Sequence, residues 1–306
     1  MKCDIFLILV IDKLSHMRNQ NRYICLVLLL ILFSCAPDSE EQPESNKGFA
    51  ENQQNPAKEV YYRFPSASEM FTYIHKDQLT FKDGLVNPVV NAKHYQTTEA
   101  KLLNLGVYLA DLTYFVVFEE RQQAQVYLNT VRDLTEQLRI KPPNEEAFLR
   151  RMQQNVHRAD SLAALADEFN NHVMDYLMAT GREKYLAIIT TGGYIEALYL
   201  AAHTLDENNV SSMSTRIAEQ KFAVANLSGF VKTHKSHKTA LSEELLTQLT
   251  GFFNELEIEE NPTKVSRDAQ GKLNLEGGHQ IHITDEQTAE FKKQIEDIRY
   301  HVVHTK

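Results

Sequence analysis

The sequence predicts an all-α protein, a multi-helix bundle of about eight or nine helices with one small β-hairpin near the C-terminus. The first observation is a shortage of turn residues, since only 11 glycines and 8 prolines occur among 306 residues, which favours long helices. The second is that apolar residues recur at helical spacing from Phe64 onward. The third is that residues typical of helix starts and ends separate these segments.

The first 34 residues are predicted to be a secretory signal peptide. An apolar run of about a dozen residues, 23–34, follows the basic stretch 17–22, an order typical of such leaders. The run is too short to cross a bilayer comfortably, because a transmembrane helix takes roughly 20 apolar residues. A signal peptide does not need the additional apolar stretch 5–11, so we expect translation to start at Met17.

The end of this leader carries a lipid-attachment signal. Leu32-Phe33-Ser34-Cys35 resembles the lipobox of bacterial lipoproteins, although Phe33 is larger than the residue usual at its position. The resemblance implies a diacylglycerol thioether on Cys35, cleavage before it, and a fatty acyl chain such as palmitate on the new amine. Two or three chains anchor a protein stably. The expected location is therefore the bacterial cell envelope, at the outer membrane.

Residues 36–57 are predicted to form a disordered tether, because they are rich in Pro, Ser, Glu, Gln and Asn. The tether starts with the acidic residues Asp38, Glu40 and Glu41. Similar acidic stretches send lipoproteins to the cell surface in some Gram-negative lineages, but a solvated linker has the same composition, so both the periplasmic and the surface face stay open. The rest, 58–306, is predicted to be a single helical domain.

Cysteine usage and charge exclude several functions. Cys3 and Cys25 lie within or before the leader, so Cys35 would be the only cysteine of the mature chain, and neither an intrachain disulfide nor a cysteine-based zinc site could form. The net charge is −9, and loss of the leader would make the remainder more acidic. Such a chain lacks the basic surface that phosphate backbones require, so nucleic acid is not an expected partner.

Two helices are predicted to form the centre of the core. The stretch 102–118, which follows a helix start at Thr97 or Thr98, is apolar on nearly every side and contains one acid, Asp111. The stretch 185–203 has the same character and contains one acid, Glu196. A helix that is apolar all round is buried or spans a membrane. Their internal acids and amphipathic neighbours favour burial.

The other helices are predicted from amphipathic spacing and caps. Ser66 and Glu69 form a capping box for a short helix through His75. Residues 120–140 carry one apolar stripe and are ended by a Pro-Pro pair; the stripe is Val126, Leu128, Val131, Leu134 and Leu138, and the prolines are Pro142 and Pro143. Further helices are predicted after the cap Asn144, over 159–180 before Gly181, at about 211–235 and at about 242–258.

The C-terminal part begins with a change of pattern. Residues 265–283 alternate in polarity and contain Gly271, Gly277 and Gly278, which predicts a β-hairpin. Thr284 and Gln287 then form a second capping box, which begins the last helix.

The two core helices also share a short motif. Gly106-Val107-Tyr108-Leu109-x-x-Leu112 aligns with Gly192-Gly193-Tyr194-Ile195-x-x-Leu198, and each copy precedes an amphipathic helix. This suggests a duplicated helical pair. The motif is also short enough to recur by chance, so both explanations stay open.

The candidate functional residues are the acids of the core helices, since a carboxylate in such a place either has a partner or has a raised pKa. One hypothesis is a pocket between the helices that Asp111 and Glu196 face, lined by Tyr108, Tyr194 and Tyr199. The alternative, which the sequence favours, is that each acid is a structural hydrogen-bond acceptor. If the repeats superimpose, the two acids point about 100° apart.

No pattern predicts a catalytic residue, a cofactor or a metal site. Gly192-Gly193 lies within a helix rather than after a strand, so close helix packing or a kink explains it better than a phosphate-binding loop. Three His-x-x-His pairs lack a third ligand beside them, and histidine near a helix end also complements the helix dipole. The pairs are His234/His237, His279/His282 and His301/His304.

Two segments resemble a family of uncharacterised all-helical envelope lipoproteins of Gram-negative gut and marine bacteria. They are residues 85–111 and 191–201, LVNPVVNAKHYQTTEAKLLNLGVYLAD and TGGYIEALYLA, and the similarity extends over about 60–300. The resemblance implies fold and location only. We therefore expect a non-enzymatic binding or scaffold module with a membrane anchor and an envelope protein partner. A small-ligand-binding protein or enzyme that uses Asp111 and Glu196 is the alternative.

Overall fold

A computed structural model of the chain describes residues 80–155, 159–204, 210–267 and 272–306. All of them belong to one compact unit, Val60–Lys306. The predicted leader, the lipid-attachment site Cys35, the tether and the predicted helix from Ser66 to His75 lie outside the described residues.

The described residues confirm the predicted all-α class, with nine α-helices and a two-stranded antiparallel sheet near the C-terminus. The helices are α1 (Thr98–Val117), α2 (Arg121–Gln137), α3 (Glu145–Gln154), α4 (Ala159–Ala179), α5 (Glu183–His203), α6 (Val210–Glu219), α7 (Lys221–Thr233), α8 (Ala240–Asn254) and α9 (Asp285–Val303). The strands are β1 (Ile258–Arg267) and β2 (Leu273–Ile281), and short 3-10 helices cover Val89–His94 and His237–Thr239.

The two helices predicted to be central do form the core. Fifteen of the 20 residues of α1 and fifteen of the 21 residues of α5 are buried, because the other helices cover both on most sides. Helix α1 packs against α2, α4, α5 and α9, and α5 packs also against α7 and α9. By length and composition both could cross a membrane, but 83% of each apolar window is buried inside the protein, as in the core helix of a soluble protein.

Glycines bring α1 and α5 into backbone contact. A Cβ atom on Gly106 would lie 2.6 Å from the backbone nitrogen of Gly193, and one on Gly192 would lie 2.8 Å from the carbonyl carbon of Leu103. Only a residue without a side chain permits such an approach. The pairs Leu103–Gly192, Gly106–Gly193 and Asp111–Glu196 advance together along the two helices, so α1 and α5 run in the same direction. The glycine pair noted in the sequence therefore serves close packing.

Helix α2 corrects two details of the sequence prediction. Val126, assigned to the apolar stripe, is 48% exposed, whereas the other four stripe residues are buried, together with Ala124 and Tyr127. The helix also ends before Pro142. Arg139 adopts a left-handed conformation at φ 53°, and the backbone nitrogen of Ile140 donates to the Thr135 carbonyl at 2.9 Å. This hydrogen-bonded turn ends the helix without the prolines.

The next two boundaries fall close to their predicted positions. Asn144 precedes α3, but its φ of 63° is left-handed and its side chain makes no capping hydrogen bond. Helix α4 ends before Gly181, whose φ of +66° is the conformation expected of glycine after a helix. The backbone nitrogen of Arg182 then donates to the Leu177 carbonyl at 2.8 Å.

The single helix predicted at 211–235 is wrong, because the structure has two helices, α6 and α7, divided at Gln220. At this break the Gln220 backbone nitrogen bonds three residues back, to Ile217. The Tyr194 hydroxyl of α5 donates to the Gln220 side-chain oxygen at 3.1 Å. The core helix α5 thus supplies a polar partner for the residue at the break. The spacing of apolar residues within 211–235 does not indicate such a partner.

The predicted hairpin is present and is longer than expected. Ile258 pairs with Ile281 at its base, and a register shift between Asn261 and Lys264 accommodates Pro262. Among the hairpin residues whose exposure is described, only Ile281 is buried. The capping box after it is confirmed, since Thr284 and Gln287 exchange backbone-to-side-chain hydrogen bonds at 2.9 and 3.2 Å.

Substitution of Gly106 or Gly192 by alanine is expected to lower the free energy of unfolding by about 3 kcal/mol or more, because the new methyl group would overlap backbone atoms that cannot rotate away. Gly251 in α8 is the matched control, since a Cβ atom there meets nothing within 4 Å. Gly251→Ala should stabilise by about 0.5–1 kcal/mol. Chemical denaturation measures all three variants, and similar effects at Gly106 and Gly251 would contradict the backbone contact.

Candidate functional site

The site lies where α1, α5 and α9 meet residues 80–95, here called the strap, a mainly irregular segment that includes the 3-10 helix Val89–His94. The strap is held mainly through its backbone. The Lys82 backbone nitrogen donates to the Tyr114 hydroxyl at 2.9 Å, and the Tyr127 hydroxyl donates to the Asn87 carbonyl at 2.9 Å. Phe81 adds an apolar contact, with its ring centroid 5.5 Å from that of Tyr114. Core side chains thus fix the path of the strap.

The strongest interaction of the site joins Glu196 of α5 to Arg299 of α9. The guanidinium donates two hydrogen bonds to the carboxylate, from Nε to Oε2 at 2.6 Å and from Nη2 to Oε1 at 2.8 Å. The Glu196 side chain is completely buried and that of Arg299 is 14% exposed. Arg299 also donates to the Leu85 carbonyl of the strap at 2.9 Å, and its guanidinium carbon lies 4.1 Å from the Tyr199 ring centroid.

Asp111 of α1 lies beside this ion pair and is also completely buried. Its Oδ2 accepts a hydrogen bond from the Asn87 backbone nitrogen at 3.1 Å, whereas Oδ1 has no donor among the described residues. Burial first, and the neighbouring Glu196 carboxylate second, raise the pKa of Asp111 well above its usual value. Two carboxyl groups can face each other in this way only if one is protonated.

The cluster of Asp111, Glu196 and Arg299 is therefore electrically neutral when Asp111 carries its proton. With both acids ionised, one arginine would face two negative charges in the interior, and an unbalanced buried charge is expensive. The geometry assigns the proton to Asp111, because the Glu196 oxygens already accept both guanidinium hydrogen bonds.

Amides and tyrosines continue the network from this cluster toward the end of α9. The Asn87 amide nitrogen donates to the Tyr95 hydroxyl at 2.9 Å and to Asn104 Oδ1 at 3.3 Å. Asn104 in turn donates to the Val302 carbonyl at 3.0 Å, and the Tyr95 hydroxyl donates to the Val303 carbonyl at 3.2 Å. These bonds satisfy carbonyl groups that the last turn of a helix leaves without an intrahelical donor.

The structure brings together most of the residues that the sequence singled out. Asp111 and Glu196 meet, although a superposition of the repeats would point them apart. Tyr199 lies against Arg299, and the Tyr108 hydroxyl donates to the Pro88 carbonyl of the strap at 3.0 Å. Burial raises the pKa of Tyr108, so this hydroxyl keeps its proton. Tyr194 belongs elsewhere, because its hydroxyl donates to Gln220.

A pocket at the two acids stays a prediction. Three of the cavities lined by described residues lie between α8 and α9, on the hairpin, and between the starts of α5 and α8. None of the three includes Asp111 or Glu196. In the described structure both acids act as hydrogen-bond acceptors within the core, and Asp111 can in addition donate its proton to Glu196.

Sequence reasoning missed Arg299 and Asn87, the two residues that complete the cluster. Arg299 had a weak signal, since it follows the buried residues Ile295 and Ile298 on α9 and precedes the buried Val302. A charged residue at the margin of an apolar stripe is normally placed in solvent. Asn87 had no such signal, because it lies in an irregular segment and acts through its backbone as well as its side chain.

The histidines are dispersed. Within the described ranges no group of three or more His, Cys, Asp or Glu residues is placed to hold a metal ion. His234 and His304 each bond to a carbonyl of the preceding helical turn, at 3.0 and 2.9 Å. His282 pairs across the hairpin with Glu259 at 3.0 Å.

A comparison with known protein families, with characterised proteins and with solved structures finds no match to this chain. Its function must therefore be argued from its own residues.

Replacement of Arg299 by glutamine is expected to lower the free energy of unfolding by about 3–5 kcal/mol, because it leaves Glu196 as an uncompensated buried charge. The exposed pair Arg151–Glu168 is the control, since its guanidinium also donates two hydrogen bonds to the carboxylate, at 3.0 Å, with about half of each side chain exposed. Arg151→Gln should cost less than about 1 kcal/mol.

The double variant Glu196→Gln/Arg299→Gln tests whether the cost arises from the unpaired charge. It should be more stable than Arg299→Gln alone, because it removes the charge together with its partner. Denaturant titration at one pH measures the series. Equal free energies of unfolding for Arg299→Gln and for the double variant would contradict this account of the ion pair.

The raised pKa of Asp111 predicts a specific pH dependence. Protonated Asp111 favours the folded state, so its contribution is complete below the ordinary aspartate pKa of 3.8 and is lost as pH rises toward the raised value. Asp111→Asn keeps the neutral shape but cannot titrate. Between pH 5 and 8 its stability should therefore rise relative to the natural protein, by at most about 1.4 kcal/mol per pH unit.

The control for this experiment is Asp133→Asn on α2, whose side chain is 65% exposed. Its stability relative to the natural protein should change little over the same range. Parallel stability curves for Asp111→Asn and the natural protein would show that Asp111 is ionised in the fold, and the neutral cluster would be rejected.

Proposed function

We propose that this chain is a lipid-anchored protein of the bacterial cell envelope that works as a non-enzymatic binding or scaffold module. The lipobox-like Leu32-Phe33-Ser34-Cys35 supports the anchor and, through it, a location in the cell envelope. The outer membrane is the membrane that we propose. The described cluster supports the non-enzymatic role, because Glu196 is bonded to Arg299, and both Arg299 and Asp111 are bonded to the strap.

The observation that carries the binding role is the exposed hairpin. Its strands pair only with each other in the described structure, and Val265 and Leu273 are 63% and 54% exposed. A two-stranded hairpin is at best marginally stable in water without packing on another surface. An arm with a ten-residue strand, about 30 Å long, and apolar side chains in solvent is suited to contact another envelope protein.

The base of the hairpin is fixed to the helices, so the exposed part of the hairpin, here called the arm, projects from a rigid support. The Lys221 ammonium group donates to the Leu256 carbonyl at 3.0 Å, and the His279 ring lies 5.9 Å from the Phe222 ring, centroid to centroid. Ile281 is buried among core residues. The exposed part of the arm therefore starts from a rigid base, which lowers the entropy lost when a partner binds.

A second function, a small-ligand-binding protein or enzyme that uses Asp111 and Glu196, is favoured by one observation. A buried carboxyl group that keeps its proton beside a carboxylate is typical of acid–base sites. Asp111→Asn and Glu196→Gln separate the two proposals. A ligand site would lose binding with its fold intact, whereas a structural cluster would change in stability.

The anchor is tested by intact mass after expression in a host that processes lipoproteins. The proposal predicts a chain that starts at Cys35 and carries the mass of a diacylglycerol and an acyl chain, because the thiol and the new amine are the modified groups. Cys35→Ala should abolish both the cleavage and the added mass. An unmodified chain that retains residues 17–34 would reject the anchor and make the leader a membrane helix.

The binding role is tested with a photo-crosslinking amino acid at Val265 in cells that express the full chain. A partner on the hairpin should give a discrete adduct of higher mass on irradiation. Val126 on α2 is the matched control, since it is also a valine and is 48% exposed. Equal labelling at both positions, or no adduct at Val265, would remove the hairpin as the binding surface.

A further inference from the structure

A cavity of about 380 Å³ lies between the start of α5 and the turn before α8. Its charged lining residues are all basic, although the chain as a whole has a net charge of −9. Arg182 and Lys184 come from the start of α5, and His237 and Lys238 come from the 3-10 turn that leads into α8. No acid lines the cavity. Glu99 is not among the lining residues, although its charge interacts with that of His237.

Two of these cations have no partner in the described structure. Lys184 and Lys238 are exposed and make neither a hydrogen bond nor an ion pair with the described residues. Each lies at or just before the start of a helix, where the helix dipole is positive and a basic side chain is disfavoured. Helix stability therefore does not account for basic residues at these positions. A negatively charged ligand would balance both cations.

The wall of the cavity is preorganised. The Arg182 guanidinium donates to the carbonyls of Leu138 and Arg139, each at 2.9 Å, and its carbon lies 4.5 Å from the Tyr185 ring centroid. On the opposite side, the Ser236 backbone nitrogen donates to the Thr239 hydroxyl at 2.9 Å. One cation is thus fixed, and two flexible lysines face the same space.

We infer that this cavity binds a phosphate group, either as a free ion or as part of a lipid headgroup. Clustered arginine and lysine side chains are the groups that proteins use for phosphate. The inference goes beyond the proposed function, since it involves neither the hairpin nor the lipid on Cys35. Its failure would leave the binding role of the hairpin untouched.

The first test is calorimetric titration of inorganic phosphate into the full chain in a non-ionic detergent. We expect saturable binding that the variant Lys184→Glu/Lys238→Glu weakens roughly tenfold or more, since two attractive charges become repulsive. The control is Lys293→Glu on α9, which reverses one lysine charge in the cavity between α8 and α9. It should bind phosphate as the natural chain does.

The second test distinguishes the two sources of phosphate. The full chain is floated with vesicles of phosphatidylcholine, with or without phosphatidylglycerol. Additional binding to the anionic vesicles that the double variant loses, and Lys293→Glu retains, identifies a lipid headgroup. Phosphate binding in the calorimeter without that additional vesicle binding identifies a soluble ligand. Neither kind of binding, or binding that the double variant retains in full, would overturn the inference.

Discussion

The backbone contact between α1 and α5 is the constraint on which the rest of the structure depends. Gly106 and Gly192 let the two helices approach until main chain meets main chain, and this approach brings Asp111 and Glu196 together in the interior. Two neighbouring acids in the interior need a cation and a proton to balance their charges. Arg299 supplies the cation, so α9 must pack beside α5, and its remaining hydrogen bond holds the strap.

Most of the architecture could be predicted from the sequence because it follows from local signals. The core helices are apolar on nearly all sides, and the Thr284–Gln287 box is a short-range pattern that sets a helix start regardless of its surroundings. The break at Gln220 could not be predicted, because its polar partner is Tyr194 of another helix. The prediction that Val126 is buried was wrong for a similar reason, since the exposure of Val126 depends on which neighbour covers that side of α2.

The sequence indicated the two acids of the candidate site but not the residues that complete it. Asp111 and Glu196 stand out because an acid in an apolar helix is a local anomaly. Arg299 follows Glu196 by 103 residues, and its one local signal is a position at the margin of the apolar stripe of α9, which does not distinguish an inward from an outward charge. Only the structure shows that one arginine and one proton neutralise the two acids. We therefore propose binding at the surface, on the hairpin and at the basic cavity.

The position of Arg299 also sets the order in which the protein can be completed. Helices α1 and α5 are synthesised before α9, so from the synthesis of Glu196 until that of Arg299, 103 residues later, the two acids have no arginine to neutralise them, and water is their only good environment. The central helices can close firmly only once α9 has emerged. We expect such a chain to stay loosely packed during synthesis, a property that would suit a polypeptide that crosses a membrane before it reaches the envelope location proposed above.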